Sequence, residues 1–299
     1  MTGAIRIGIG LPTRGGVDPA GLLRWAARAD EGPFSSLAVT DRVVFEALEP
    51  IAALAAAAAV TRRIRLLTSI VIAPTRETTL LARQAASIDA LSGGRFTLGL
   101  GVGARTDDYG ATVTSFETRG RRFDEQLPLL RRIWAGEPTA DGFAPIGPSL
   151  AGRRGPELLI GGYVDAVARR IATWGDGFMA PGGGEPRRMA ELWSAIRTAW
   201  TAAGRDGEPR WVAASYFALG PAAEAAASSY IEAWYGHDPA RAAQRLRSIP
   251  TTADAVRELI QRQAGLGVDE LILRPCSSDI DQLDRLAELL GDMAAAAGD

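Results

Sequence analysis

Lysine is absent from this chain: all 33 basic side chains are arginine. Schiff-base chemistry, a P-loop and a lysine general base are excluded with it. Any anionic ligand must be held by arginine or by backbone N–H groups. Histidine and cysteine occur once each, as His237 and Cys276. That excludes an internal disulfide and any cysteine-rich metal cluster, and it argues against other metal sites and a Ser-His-Asp triad. Charge of one sign is also lacking. The 33 basic and 35 acidic residues leave a formal charge of −2, with no basic block. Nucleic acid and anionic membrane are therefore poor partners. No apolar run is long enough to span a bilayer, and IAALAAAAAV (51–60) reads as an Ala-rich packed helix. The opening MTGAIRIGIGLPTRGG lacks the charged flank and apolar core of a signal peptide. The expectation is a soluble, cytoplasmic protein.

What is present is a core-forming composition. Hydrophobic residues make up 47% of the 299 residues, enough for one large domain or two small ones. The forty residues from Arg62 to Gly101 are the most informative. IRLLTSIVI is a continuous apolar, β-branched run, the pattern of a strand buried on both faces. ETTLLARQAASIDAL follows, with Leu80, Leu81, Ala85, Ile88 and Leu91 on one helical face. Ser92-Gly93-Gly94 closes that helix, and RFTLGLGVG is the next strand, ending in glycines where a ligand can approach the backbone. Strand, crossover helix, parallel strand is the unit.

The same alternation runs along the chain. Strands are expected at 4–12, 35–41, 157–162, 175–184, 210–220 and 269–275, besides the two just described. Helices are expected at 19–30, 50–61, 121–136, 165–174, 187–203 and 280–294. Residues 101–120 read as a long loop, and 136–155, with three prolines, as irregular. Residues 221–264 are helical, longer than one crossover needs and interrupted at Gly236. Eight alternations in this length fit an α/β (β/α)8 TIM barrel, taken as a single domain over 1–299, better than a doubly wound open sheet.

In a barrel, chemistry gathers at the C-terminal strand ends. The candidates there are Thr13 and Arg14; Asp41, Arg42 and Phe45; Ser69 to Arg76; Gly101 to Tyr109; Gly161 to Tyr163; Pro181 to Gly184; Tyr216; and Arg274. The Gly-rich ends after strands four, five and six suggest a phosphate held by backbone amides, although each pair taken singly can be a tight turn. Asp41 is either an acid–base group or the salt-bridge partner of Arg42.

These segments resemble the bacterial luciferase-like family of flavin- and deazaflavin-dependent oxidoreductases. TSIVIAP, QAASIDALSGGRFTLGLGVG, DDYGA, RGRRFDEQLPLLRRIW, PELLIGG, ARRIATWGDGFMAPGG and DELILRP stand in the family's order across nearly the whole chain. The resemblance implies a (β/α)8 barrel with FMN or coenzyme F420 in its C-terminal mouth. It implies a non-prolyl cis peptide at Ser69–Ile70 supporting the cofactor ring, with Val102 and Gly103 lining it. It places the cofactor phosphate near Gly161, Gly162, Tyr163, Gly182 and Gly183, with Asp41 also at the cofactor. Asp41 and Arg42 are the candidate catalytic pair; Arg14, Phe45, Tyr109 and Tyr216 are the candidate substrate contacts. No metal is implied. Partners would be a small-molecule substrate, a second copy of the chain in a homodimer, and, in one reading, a separate flavin reductase.

Two departures from the family pattern bear on function. Many members carry Asp-His after the second strand, and here the pair is Asp41-Arg42, a permanent cation in place of a group that titrates near neutrality. Sugar-phosphate dehydrogenases of the family carry a glutamate where Ala104 stands. Arg42 then either holds an anionic substrate or steadies the charge of the reduced cofactor, or it pairs with Asp41 or Asp30 as a structural partner. The region with Tyr230, Trp234, Tyr235 and His237 is either a lid over the mouth or an ordinary excursion, with the excursion favoured. Arg105, Asp107 and Asp108 are either cofactor or substrate contacts or a solvated loop. Arg274 meets an acidic cofactor group or bridges to Asp279, and Cys276 is an inert thiol.

The expected activity is hydride transfer from reduced F420 to an organic small molecule. An FMN- and oxygen-dependent monooxygenase of a two-component system is the alternative. A third reading is an inactive flavin-binding or partner subunit.

Overall fold

The computed structural model describes residues 5–14, 18–150, 154–182 and 186–298. Its strands are β1 (Arg6–Gly10), β2 (Ser36–Val39), β3 (Arg65–Thr68), β4 (Val71–Ile72), β5 (Phe96–Gly101), β6 (Glu157–Gly161), β7 (Gly177–Ala180), β8 (Arg210–Phe217) and β9 (Glu270–Pro275). All pairings between them are parallel. β1 pairs with both β2 and β9, and β3 pairs with both β2 and β5, so the sheet closes on itself. The barrel reading holds and the open sheet falls away. Closure leaves no free edge, and near-continuous burial of strands such as β5 follows from helices outside and side chains within.

The third strand is not one run. β3 stops at Thr68, β4 starts at Val71, and the Ser69–Ile70 peptide between them is cis. β4 continues against the end of β5, with Val71 opposite Leu100 and Ile72 opposite Gly101. Where the ladder is interrupted, the Thr68 hydroxyl takes it over: it donates to Gly99 O at 2.9 Å and accepts from Gly99 N at 2.8 Å. A Cβ on Gly99 would lie 2.1 Å from Thr68 O, so this approach admits only glycine. Gly101 and Gly161 have a related cause. Added Cβ atoms there would meet the Ile70 side chain at 3.0 and 3.2 Å. These glycines make room for Ile70 as well as marking strand ends.

The helices are α1 (Pro19–Glu31), α2 (Pro50–Val60), α3 (Thr78–Leu91), α4 (Thr106–Ala111), α5 (Arg119–Trp134), α6 (Ala166–Trp174), α7 (Pro186–Ala202), α8 (Ala223–Tyr235), α9 (Pro239–Leu246), α10 (Ala253–Gly265) and α11 (Asp281–Gly298). The supposed loop 101–120 contains α4, and the helical stretch 221–264 is three helices. The inward faces of α1, α2, α3, α5, α6, α7, α10 and α11 form one apolar shell with the outer side of the strands, while α8 and α9 pack in a separate cluster with Tyr216 and Cys276. Leu80 and Leu91, expected on the apolar face of α3, are exposed at its ends. Inside the barrel a second cluster includes Leu67, Leu159, Met179, Val212 and Ile272, with Ile70 packed on it.

The far end of the barrel, where strands begin, is polar. Arg210 lies between the carboxylates of Glu157 and Glu270 and pairs with both. Thr97 donates to Glu157 at 2.6 Å and Ser36 to Glu270 at 2.7 Å. Burial alone would raise the Glu157 carboxyl, but Arg210 and these hydrogen bonds hold it below the usual carboxylate range. Charges buried here are neutralised in place, which leaves the opposite end free for ligands.

Candidate active site

At the C-terminal mouth the break in the third strand forms the floor. Ser69 is held from across the barrel by Arg274, which donates to Ser69 O at 2.8 Å and to Ser69 Oγ at 2.6 Å. The expected Arg274–Asp279 bridge does not form. Asp41, at the end of β2, is 4% exposed. It accepts from Ile72 N at 2.9 Å, and Arg76 places one nitrogen 3.0 Å from each of its oxygens. The partner of Asp41 is thus Arg76, not Arg42. With both oxygens engaged, Asp41 braces β4 against β2 and is poorly placed to exchange a proton.

Arg42 turns the other way. It pairs with Asp108 at 2.8 Å and Asp107 at 3.5 Å, and its guanidinium lies 5.6 Å from the ring centres of both Phe45 and Trp234. Asp108 also accepts the backbone N–H groups of Val43 and Val44. Neither Asp41 nor Asp30 is its partner; Asp30 binds the backbone at Arg62, Arg63 and Ile64. Asp107 and Asp108 are anchors for the loop after β2, and Arg105 pairs with Asp107 and touches the His237 ring at 2.7 Å.

Above this floor lies a cavity of about 420 Å³. Of the expected cofactor residues, Asp41, Ser69, Ile70, Val102, Gly103, Gly161, Gly162, Tyr163 and Gly182 all line it; Gly183 falls outside the described residues. Tyr216 lines it as well, while Phe45 stacks on Trp234 at 4.2 Å and Arg14 lines the neighbouring space. Tyr109 departs from expectation. It is buried, its hydroxyl donates to Val102 O, its ring packs edge-on against Phe116, and it lines none of the cavities at the mouth among the described residues. Burial pushes its phenol up to about 12. Tyr109 supports the Val102 backbone from behind.

Helices α8 and α9 close the mouth from above, which favours the lid geometry over an ordinary excursion. Trp234 and Tyr235 of α8 and Arg241 and Arg245 of α9 face the cavity. Asp238 caps α9 by accepting from Arg241 N at 3.1 Å, with Pro239 at the first helical position. Arg241 and Arg245, four apart, share one face. Arg245 is 8% exposed and donates to Gly182 O at the end of β7. The spacing Arg-x-x-x-Arg after Asp-Pro was the available sequence signal for this pair.

The electrostatics are one-sided. Among the described residues six arginines line the cavity and Asp41 is its single carboxylate. Arg42 is neutralised by its aspartates and Arg170 by Asp124. Arg119, Arg241, Arg245 and Arg274 make no ion pair among the described residues. Such a site favours an anionic ligand. Its floor is apolar, with Ile70, Val102, Val167 and Met179, which suits a flat ring. Burial, with Tyr235 and Tyr230 nearby, raises the Tyr216 phenol well above its usual range, and Arg274 pulls it back in part. Tyr216 is therefore protonated at neutral pH.

The molecule is a closed parallel barrel with an apolar, arginine-rimmed cavity at its C-terminal mouth. The chain belongs to the luciferase-like monooxygenase family, whose profile matches residues 4–297. It is similar to the crystal structure of the monooxygenase RslO1 from Streptomyces bottropensis (26% identity, TM-score 0.78, 96% of this chain and 98% of that one). It has the fold of an F420-dependent secondary alcohol dehydrogenase solved with an F420–acetone adduct (18%, TM-score 0.75, 96% and 98%). It also has the fold of the oxygenating constituent of 3,6-diketocamphane monooxygenase from Pseudomonas putida in complex with FMN (16%, TM-score 0.70, 96% and 97%). The chain spans about half the length of the curated relatives it matches: 54% of an uncharacterised Mycobacterium tuberculosis protein 34% identical over 163 residues. Among the described residues, no helix is long and apolar enough to cross a membrane.

Proposed function

We propose that the protein is an oxidoreductase that binds a reduced flavin-type cofactor, coenzyme F420 in the first reading, and uses it to reduce a small organic molecule. One observation carries this: four arginines that make no ion pair among the described residues surround a cavity of about 420 Å³ with an apolar floor. The residues fit a ring-bearing phosphate. Ile70, Val102 and Met179 would take the ring, while Arg245 and the Gly161–Gly162 backbone would take the phosphate. Bound F420 supplies a hydride, and bound FMN supplies electrons for oxygen activation.

The chain's own part is binding, orientation and exclusion of water. Arg274 fixes Ser69 under the ring position. Asp41 and Arg42 hold β4 and the loop after β2 in place and transfer no proton, because their polar atoms are already engaged. Trp234 and Tyr235 cover the mouth. Tyr216, whose phenol burial raises well above its usual range, Tyr163 and Tyr235 are the phenols that line the cavity beside the bound substrate.

The likeness to RslO1 favours the second reading, an FMN-dependent monooxygenase fed by a separate reductase. A homodimer belongs to either reading. Titration with F420 and FMN side by side tests the proposal. Saturable binding of F420 with FMN ignored supports the first reading, and the reverse supports the second. Binding without turnover leaves the inactive-subunit reading, and no binding of either rejects all three.

A further inference from the structure

Beside the ring cavity lies a second one of about 350 Å³, bounded by the ends of β1 and β9 and by α8. The two share Thr40, Arg42, Trp234 and Arg274 as lining residues, so they adjoin. Its walls carry three arginines, several hydroxyls and no carboxylate. Arg42 is already neutralised by Asp107 and Asp108. Arg14 and Arg274 are not: neither makes an ion pair among the described residues.

Arg14 donates to one acceptor, the Tyr230 carbonyl, at 3.3 Å, and lies 4.8 Å from the Tyr230 ring centre and 5.5 Å from that of Phe45. Two aromatic faces hold the guanidinium without discharging it. Arg274 gives one terminal nitrogen to Ser69, and its Nε is buried with no hydrogen-bond partner. The Tyr216 and Tyr230 rings are 5.2 Å apart; Arg274 lies 5.7 Å from the first ring centre and Arg14 4.8 Å from the second, and both cations line the cavity. A partly buried guanidinium with spare fork geometry and no protein counter-charge is completed by a ligand oxyanion.

We propose that this second cavity is the substrate site and that it takes an organic carboxylate, with the acid group between Arg14 and Arg274 and a planar body along Tyr230 and Trp234 toward the ring cavity. This rests on the preceding reading for the word substrate, but the binding itself does not. Thr13, Ser229 and Ser277 add hydroxyls to the lining, and Cys276, its thiol pushed up to about 12 by burial, adds no negative charge. Arg42 shapes the opening between the cavities.

Calorimetric titration of the full chain with benzoate, phenylacetate and cinnamate, each against its amide, tests this. At least one acid binds saturably, tenfold or more tighter than its amide, and more weakly as salt rises. R14Q lowers that affinity about tenfold while leaving the amide unchanged, and R14K retains part of it. Circular dichroism checks that both variants fold, and the acid–amide comparison needs no variant. The proposal is overturned if no acid binds, if amides bind equally, if R14Q matches the parent, or if phenyl phosphate outcompetes phenylacetate. Loss of acid binding on saturation with F420 would assign the cavity to the cofactor and also overturn it. F420 and FMN are titrated in parallel. If neither binds while the acids do, the cofactor reading alone fails; if one binds while the acids do not, only the carboxylate inference fails.

Discussion

Arg274 donates to both the carbonyl oxygen and the hydroxyl of Ser69, a residue 205 positions earlier. The last strand of the ring thereby reaches across the mouth and holds the floor of the cavity under the third. The same guanidinium lines both cavities, so the floor and the two spaces proposed for cofactor and substrate meet at one cation.

Removing that cation is expected to loosen the floor and withdraw charge from the mouth. Arg274→Gln should weaken cofactor binding by roughly tenfold or more, since hydrogen bonds from charged donors are worth about 1.5–3 kcal/mol. Fluorescence titration measures the affinity, and thermal unfolding separates it from a stability loss. Unchanged affinity would remove Arg274 from the site.

Arg245 tests the roof. It is buried, uncompensated by any acid among the described residues, and tied to Gly182 O at the end of β7. Arg245→Ala should reduce cofactor affinity about tenfold and flatten its dependence on ionic strength, because a charge near the bound anion is gone. Dissociation constants at two salt concentrations decide it. An unaltered salt slope would make Arg245 a packing residue.

Tyr109 should behave as support and not as a contact. Tyr109→Phe removes the bond to Val102 O and is expected to cost about 0.5–1.5 kcal/mol of stability, read by urea unfolding. Affinity for small acids should be unchanged. A large loss of ligand binding with intact stability would return Tyr109 to the site.

Arg210 belongs to the opposite end. Arg210→Met leaves Glu270 buried without its cation and Glu157 with only the longer Arg65 contact at 3.4 Å; breaking a buried pair in this way typically costs about 3–5 kcal/mol. The denaturation midpoint should fall sharply, while the folded fraction keeps its cofactor affinity.

The same cluster gives a pH dependence. Glu157 is held below its ordinary range in the folded chain, whereas an unfolded glutamate titrates near about 4.3. Its contribution is fully present above that value and is lost as pH falls through the lower folded value, because the unfolded chain binds the proton first. Stability measured from pH 6 downward should therefore drop on the acid side. Glu157→Gln should show a shallower drop in that window, and an identical slope would exclude Glu157 as a source.

The strands and helices were readable because each rests on local patterning. IRLLTSIVI and RFTLGLGVG are apolar on both faces, and the helix between them has one apolar stripe. The glycines were readable too, but as a phosphate cradle. Gly99 turns out to be required by the close approach of Thr68 O, and Gly101 and Gly161 to pack tightly on Ile70 and, for Gly161, on Met179 O, neighbours that only the closed ring supplies. The loop after strand four concealed α4, since Asp107 and Asp108 look like solvent-facing residues until Arg42 is brought to them.

The sequence by itself determined the eightfold strand–helix alternation, and hence a parallel α/β fold; closure into a barrel was decided by the pairing of β3 with β5. The sequence also determined that every cation is an arginine. Only the tertiary structure decided which arginines are spent and which are free. Asp41 pairs with Arg76, Arg42 with Asp108, and Arg274 holds Ser69. Periodicity is set by neighbours three or four residues away along the chain. Ion pairs are settled by whichever charges the closed ring brings within a few ångströms, and sequence distance carries no record of that.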